Sequence, residues 1–468
     1  MPLTYEQARA LLERHGQAQV LRFWPRLSPR EQTALLEQIA ALDFDSLARM
    51  RERLAAARPA AADAAALEPA PVLELAGAER EQARQEGAAA LRAGQVGALL
   101  VAGGQGSRLG FDGPKGVFPI GPVSGASLFE IHARKILALE RKYAARVPFY
   151  IMTSRENDEP TRRFFAQHRH FGLDPERVRF FVQGMWPALD PQGRIILDAP
   201  GHIFLSPDGH GGILEALRVN GLLEDMTRRG LSTLFYFQVD NPLVEIADPV
   251  FLGAHRRQRA ELSLKVCAKR DAEEGLGVVA RRGGRPLVVE YTELTSEQKH
   301  ARRPDGQLLF RYGSVAIHVF DLEFLKREAA RPLPLHVAHK KVPYCDERGA
   351  TVKPEAPNAY KFEKFIFDVL PDAERSLNLA FAREDEFSPV KNAAGPDSPE
   401  TARRDQALKF ARWFERCGIA VPRDAAGAPR YRLEIDPCFA LGPEDLRARL
   451  PAGFAIAGDT RLAEPVTF

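Results

Sequence analysis

The chain has 468 residues, more than one hydrophobic core ordinarily serves, so two to three domains are expected. Hydrophobic residues at 45% and charged ones at 27% exclude a disordered or fibrous chain, and 65 Lys and Arg against 62 Asp and Glu leave a net charge of +3, too weak a field to recruit nucleic acid or an anionic membrane. Cys267, Cys345, Cys417 and Cys438 lie too far apart for a C-x-x-C metal pair or a disulfide framework, which predicts free thiols in a reducing cytosol.

In chain order, residues 1 to 70 read as an N-terminal helical unit and linker. Glu6, Arg9, Glu13 and Arg14 interrupt the apolar positions of the first twenty residues, unlike a secretory signal core. No stretch approaches the roughly 18 apolar residues that cross a bilayer, so a cytoplasmic protein is expected. Ser28-Pro29-Arg30-Glu31 joins a capping serine, an N1 proline and an N3 glutamate and predicts a helix start. Alanine with Pro59 and Pro69 dominates 55 to 70 and predicts a linker or frayed helix.

Residues 71 to 400 read as the main α/β domain, because strand-length apolar runs alternate there with helical stretches, as in a parallel sheet with crossover helices. The strand candidates are 98–101, 149–152, 178–182 and 234–239, and a helix opening at Ser127 should pack Phe129, Ala133, Ile136 and Tyr143 on the sheet. Gly283-Gly284, between two apolar runs, predicts a hairpin and hence a mixed sheet. Residues 401 to 468 read as a small C-terminal domain led by a helix through Ala407 to Glu415.

The strongest local signal follows the first strand: Ala102-Gly103-Gly104-Gln105-Gly106-Ser107-Arg108-Leu109-Gly110, then Pro114-Lys115-Gly116. Glycines let the backbone approach a ligand and aim N–H groups at phosphate oxygens, while Arg108 and Lys115 add charge. Lys115 is not followed by Ser or Thr, so the loop is not a P-loop, and Gly104, Gly106 and Gly110 are spaced one residue too widely for the dinucleotide fingerprint. A plain tight turn is the competing reading of the glycines alone, and the nearby lysine favours a polyphosphate.

With Leu21-Arg22-Phe23-Trp24, Gln183-Gly184-Met185, Ser206-Pro207-Asp208-Gly209, Val239-Asp240-Asn241, Val289-Glu290-Tyr291, Lys361-Phe362-Glu363-Lys364-Phe365 and Arg383 to Asn392, this loop resembles the type 1 UTP-dependent sugar-1-phosphate uridylyltransferases, especially the UDP-N-acetylglucosamine pyrophosphorylases. The resemblance covers most of the chain and implies a Rossmann-like nucleotidyltransferase core with a mixed sheet, flanked by the N-terminal helical unit and the small C-terminal domain. It implies UTP and a sugar 1-phosphate as substrates. In that reaction the sugar phosphate oxygen attacks the α-phosphorus of UTP and pyrophosphate leaves. A phosphate monoester with a second pKa of about 6 is already largely dianionic at neutral pH, so positioning and charge neutralisation carry the catalysis.

By similarity, Arg108 and Lys115 hold the UTP phosphates, Ala102, Gly103 and Gly104 line the nucleotide site, Gln183 and Gly209 contact uracil, Lys361 lies near UTP, and Lys391 holds the sugar phosphate. Glu290 and Tyr291 resemble the sugar-binding pair, with Gly277 across the hairpin. Asp240 ends an apolar run, where open α/β sheets place ligands, and is the expected site of Mg²⁺. Two presumed sugar contacts depart from the N-acetylglucosamine pattern: His210 and Ser314 stand where asparagine is usual. N-acetylglucosamine 1-phosphate remains the expected acceptor and glucose 1-phosphate the alternative, with a non-catalytic UDP-sugar-binding protein as the reading from another class. A dinucleotide oxidoreductase is disfavoured by loop spacing, and a metal-dependent glycosyltransferase by the single carboxylate of Val239-Asp240-Asn241.

Overall fold

Four apolar-rich runs become parallel strands, three of them buried and Val178–Val182 partly so, with ends within two residues of those expected: Val96–Val101, Phe149–Thr153, Val178–Val182 and Thr233–Gln238. The structure is a computed structural model that describes residues 3–56 and 67–464. It divides into two compact units, one drawn from within Met1–Ala65, Gln183–Ile213 and Pro332–Asp368, the other from Ala66–Val182, Leu214–Arg331 and Val369–Phe468. The expected boundaries at 70 and 400 divide the chain differently.

In the larger unit the parallel strands lie side by side, 178–182 beside 149–153, then 96–101, then 233–238. From Val96–Val101 the chain runs outward through the helices Leu128–Tyr143 and Asp158–Gln167, and it resumes on the opposite side of the first strand at Thr233–Gln238. The strand order therefore reverses between Val96–Val101 and Thr233–Gln238, and open α/β sheets bind ligands outside the carboxyl ends of such a pair. Ser127 caps its helix by accepting the Glu130 N–H, and the helix buries Phe129, Ala133 and Ile136 as the stripe predicts.

The sheet is mixed, as expected. Tyr312–Asp321 runs antiparallel to both Thr233–Gln238 and Leu262–Ala268, and Ser376–Ala380 is parallel to the latter. Val278–Arg282 and Arg285–Val289 form the expected hairpin, with Gly283 and Gly284 at φ 56° and 79°. The stretch expected as a linker at 55 to 70 lies mostly outside the described residues, and its end, Leu67–Pro69, is a short strand on Val278–Arg282. In the C-terminal part, the helix Pro399–Arg416 packs Ala411, Trp413 and Phe414 against Leu433, Ile435 and Leu446.

Helix Gly77–Arg92 crosses helix Pro249–Arg257 through two glycines, so closely that a Cβ on Gly253 would lie 1.7 Å from the Ala83 carbonyl oxygen and one on Gly87 1.9 Å from that of Pro249. Backbone cannot yield as a flexible side chain does. Gly253→Ala is expected to lose about 1–3 kcal/mol or more, read as a lower urea midpoint, and an unshifted midpoint would show that the helices can separate without loss.

In the smaller unit the N-terminal helices are not a core by themselves: Ala8, Leu12, Leu35, Ile39 and Met50 pack with Trp186, Leu197, Ile203 and Phe362. The Ser28–Glu31 capping box forms in both directions and starts helix Pro29–Ala40. All four cysteines are free, and among the described residues no helix is long and apolar enough to cross a membrane.

Candidate active site

At the point where the strand order reverses, Val101 passes into the glycine loop and Gln238 into Val239-Asp240, the two joined by the Val239 N–H bond to the Val101 carbonyl. The loop is braced from within. Asn157 Nδ2 donates to the Gly103 carbonyl (2.8 Å) and the Gly104 carbonyl (3.1 Å), and the Lys115 N–H also donates to Gly104 O. In a trans peptide the C=O and the next N–H point in opposite directions, so these bonds turn the amides of Gly104 and Gln105 to the other side, an anion-facing arrangement. The short turn Ser107–Leu109 ends at Gly110 with φ 69°, a left-handed cap that glycine adopts without strain.

Lys115 is buried beside Gly104, and its Nζ lies 3.6 Å from Asp240 Oδ2, the two side chains being only 11% and 13% exposed. The glycine loop and the end of the fourth parallel strand thus bring together the lysine and the carboxylate singled out from sequence. Gly116 has a separate reason to be glycine: a Cβ there would fall 2.2 Å from the Phe129 ring. Ala102 is buried at the strand end, and Arg108 is exposed on the loop.

Lys391 reaches the same strand end through its chain neighbour, because the buried Val390 donates its N–H to the Asp240 carbonyl at 2.8 Å. Its own N–H bonds the Asp397 carbonyl. Gly277, Glu290 and Ser314 also gather. Ser314 N–H donates to Gly277 O at 2.8 Å, a Cβ on Gly277 would lie 3.1 Å from Glu290 Oε1, and Tyr291 packs alongside Gly275.

Gln183, Gly209, His210 and Lys361 belong to the smaller unit. Gly209, at φ 87°, and Gly211 lie so close to the backbone at Lys364 that a Cβ on either would overlap it, and Gly212 likewise meets the Asp208 carboxylate. That carboxylate pairs with Lys364 Nζ at 3.3 Å, and the same ammonium lies 4.3 Å from the centroid of the Trp186 ring. His210 stacks on Phe365 and its Nδ1 accepts the Ile366 N–H. Burial, with His336 adding repulsion, pushes its pKa down to about 4, so the ring is neutral at physiological pH. Gln183 is buried, and Lys361 lies against Phe204 with its pKa lowered by burial.

Sequence reasoning missed Asn157, Asn241, Asp208 and Lys364 as supports of these loops. Asn157 had a signal: it follows the strand that neighbours the glycine loop, at that strand's carboxyl end.

A family model described as UTP–glucose-1-phosphate uridylyltransferase matches residues 55–395. The human UDP-N-acetylhexosamine pyrophosphorylase-like protein 1 is 41% identical over 90% of this chain and 88% of its own length. UDP-N-acetylglucosamine diphosphorylase 2 of Arabidopsis thaliana is 37% identical over 96% and 93%. The crystal structure of the uridine diphosphate N-acetylglucosamine pyrophosphorylase from Trypanosoma brucei superposes with a TM-score of 0.80 at 28% identity, covering 96% of this chain and 95% of that one. The chain belongs to the UTP–glucose-1-phosphate uridylyltransferase family.

Proposed function

We propose that this enzyme joins UTP to N-acetylglucosamine 1-phosphate, forming the UDP-sugar and pyrophosphate. The observation that carries the reading is the buried Lys115–Asp240 pair beside a glycine loop braced through its carbonyls, at the sheet's reversal point. Lys115 and Arg108 neutralise the UTP phosphates next to Ala102, Gly103 and Gly104, and Lys391 neutralises the sugar phosphate. Gly277, Glu290, Tyr291 and Ser314 contribute the sugar face. The incoming phosphate oxygen is already ionised, so no side chain need remove a proton. What the protein supplies is orientation and positive charge around two anions that repel each other.

A divalent cation fits Asp240, because a hard ion such as Mg²⁺ commonly takes one or two protein carboxylates and completes its shell with phosphate oxygens and water. When bound it would neutralise phosphate charge. The other carboxylate cluster, Glu245, Asp248 and Glu386, already surrounds an ammonium: Lys265 Nζ lies 2.9 Å from Asp248 and also bonds Glu386. The names of the human, Arabidopsis and Trypanosoma relatives support the N-acetylated sugar. The test is a panel of hexose 1-phosphates assayed with UTP and Mg²⁺ for pyrophosphate release, and a clear preference for glucose 1-phosphate would overturn the sugar assignment.

Ser314 is expected to loosen that preference, since a sugar face without an amide built to meet the substrate acetamide discriminates less. In Ser314→Asn the ratio of kcat/KM for N-acetylglucosamine 1-phosphate over glucose 1-phosphate should rise about tenfold, the value of one hydrogen bond. An unchanged ratio in the folded variant would move specificity to Glu290, Tyr291 or Gly277.

A further inference from the structure

The turn after Asp240 is held from several sides. His132 Nε2 bonds the Val239 carbonyl at 3.0 Å, Lys135 Nζ donates to the carbonyls of Pro242 and Val244 at 2.6 and 2.7 Å, and Lys409 donates to that of Leu243. These groups come from the helices Leu128–Tyr143 and Pro399–Arg416 and fix where the turn sits. The side chain of Asn241 is buried, 4% exposed. Its Nδ2 donates to the Glu386 carbonyl at 2.7 Å, while its Oδ1 accepts the N–H of Ser388 at 3.1 Å and that of Leu243 at 3.3 Å.

Two of those three bonds go to the segment that ends in Lys391, and the Val390 N–H bond to Asp240 O continues the same ladder. Asn241 alone among neutral side chains of this size can donate and accept at once from one rigid plane. We infer that Asn241 is a positioning residue that holds the Lys391-bearing segment in fixed register on the turn after Asp240 and acts through Lys391. This rests on the role proposed above for Lys391. A turn-forming asparagine would need only the bond to Leu243 N–H; the two bonds to Glu386 and Ser388 span about 145 residues of chain and serve no local turn.

The test is a double-mutant cycle on the full chain. Asn241→Asp keeps the acceptor but loses the donor to Glu386 O and sets a carboxylate against that carbonyl. Its turnover should fall about 100-fold, as for a misplacement of the reacting groups, with UTP affinity by calorimetry unchanged. Combined with Lys391→Ala it should cost little more than Lys391→Ala alone, because both act through the same lysine. Should Asn241→Asp not fold, Asn241→Ser, smaller and still an acceptor, carries the same cycle. Wild-type turnover in the Asn241 variants, or losses that multiply with Lys391→Ala, would overturn the inference while leaving uridylyl transfer intact. Wild-type turnover in Lys391→Ala itself would remove its premise.

Discussion

Lys391→Ala is expected to lower turnover several-hundred-fold while leaving UTP affinity nearly unchanged. A cation placed at a developing charge in a phosphoryl-type transfer is worth about 2–4 kcal/mol when removed. The backbone around it should survive the change, since the segment is held by Lys391 N–H on Asp397 O, by Val390 N–H on Asp240 O and by the burial of Val390, none of which needs the lysine side chain. Steady-state kinetics with both substrates, beside UTP titration calorimetry, separates the two quantities. A loss below about tenfold with normal UTP binding, far short of one charge-assisted contact, would return Lys391 to the ordinary surface.

Asp240→Asn is expected to be equally damaging for a different reason. The substitution keeps shape and the Asp240 carbonyl's bond to Val390, but it removes a negative charge that faces Lys115 at 3.6 Å and is offered to a cation. Turnover should drop by about 2–4 kcal/mol of lost electrostatic stabilisation, and raising Mg²⁺ should recover only part of it. The protein should stay folded by circular dichroism. Undiminished pyrophosphate release across Mg²⁺ concentrations would remove Asp240 from the metal site.

Much of this site was legible because its parts are local in sequence. The glycine loop and the strand-end Asp240 each follow an apolar run that announces a strand, Lys115 lies a few residues beyond the loop, and the hairpin of Gly283-Gly284 is written in two adjacent glycines. The N-terminal helices were legible as helices but not as half of a core. Their apolar faces meet Trp186, Leu197 and Phe362, residues more than a hundred positions away that no local period connects to them. Lys364 illustrates the same limit: by itself it reads as a solvated lysine, and only the fold shows it buried against Asp208 and Trp186. His210 reads from sequence as a departure at a sugar contact, yet its stack on Phe365 and its bond to Ile366 N–H depend on chain about 155 residues on. The supports around the chemistry, Asn157 and Asn241, carry no motif of their own because an asparagine acquires meaning only from the carbonyls it faces.

Uridylyl transfer to an N-acetylated hexose phosphate can be followed by ³¹P NMR of the purified protein with UTP, N-acetylglucosamine 1-phosphate and Mg²⁺. The UTP and sugar-phosphate signals should decline together while pyrophosphate and the two diphosphate resonances of the UDP-sugar grow in equal amounts, and added pyrophosphate should drive the reaction back. Unconsumed UTP under conditions where calorimetry shows it bound, or its conversion to UDP and inorganic phosphate, would contradict it.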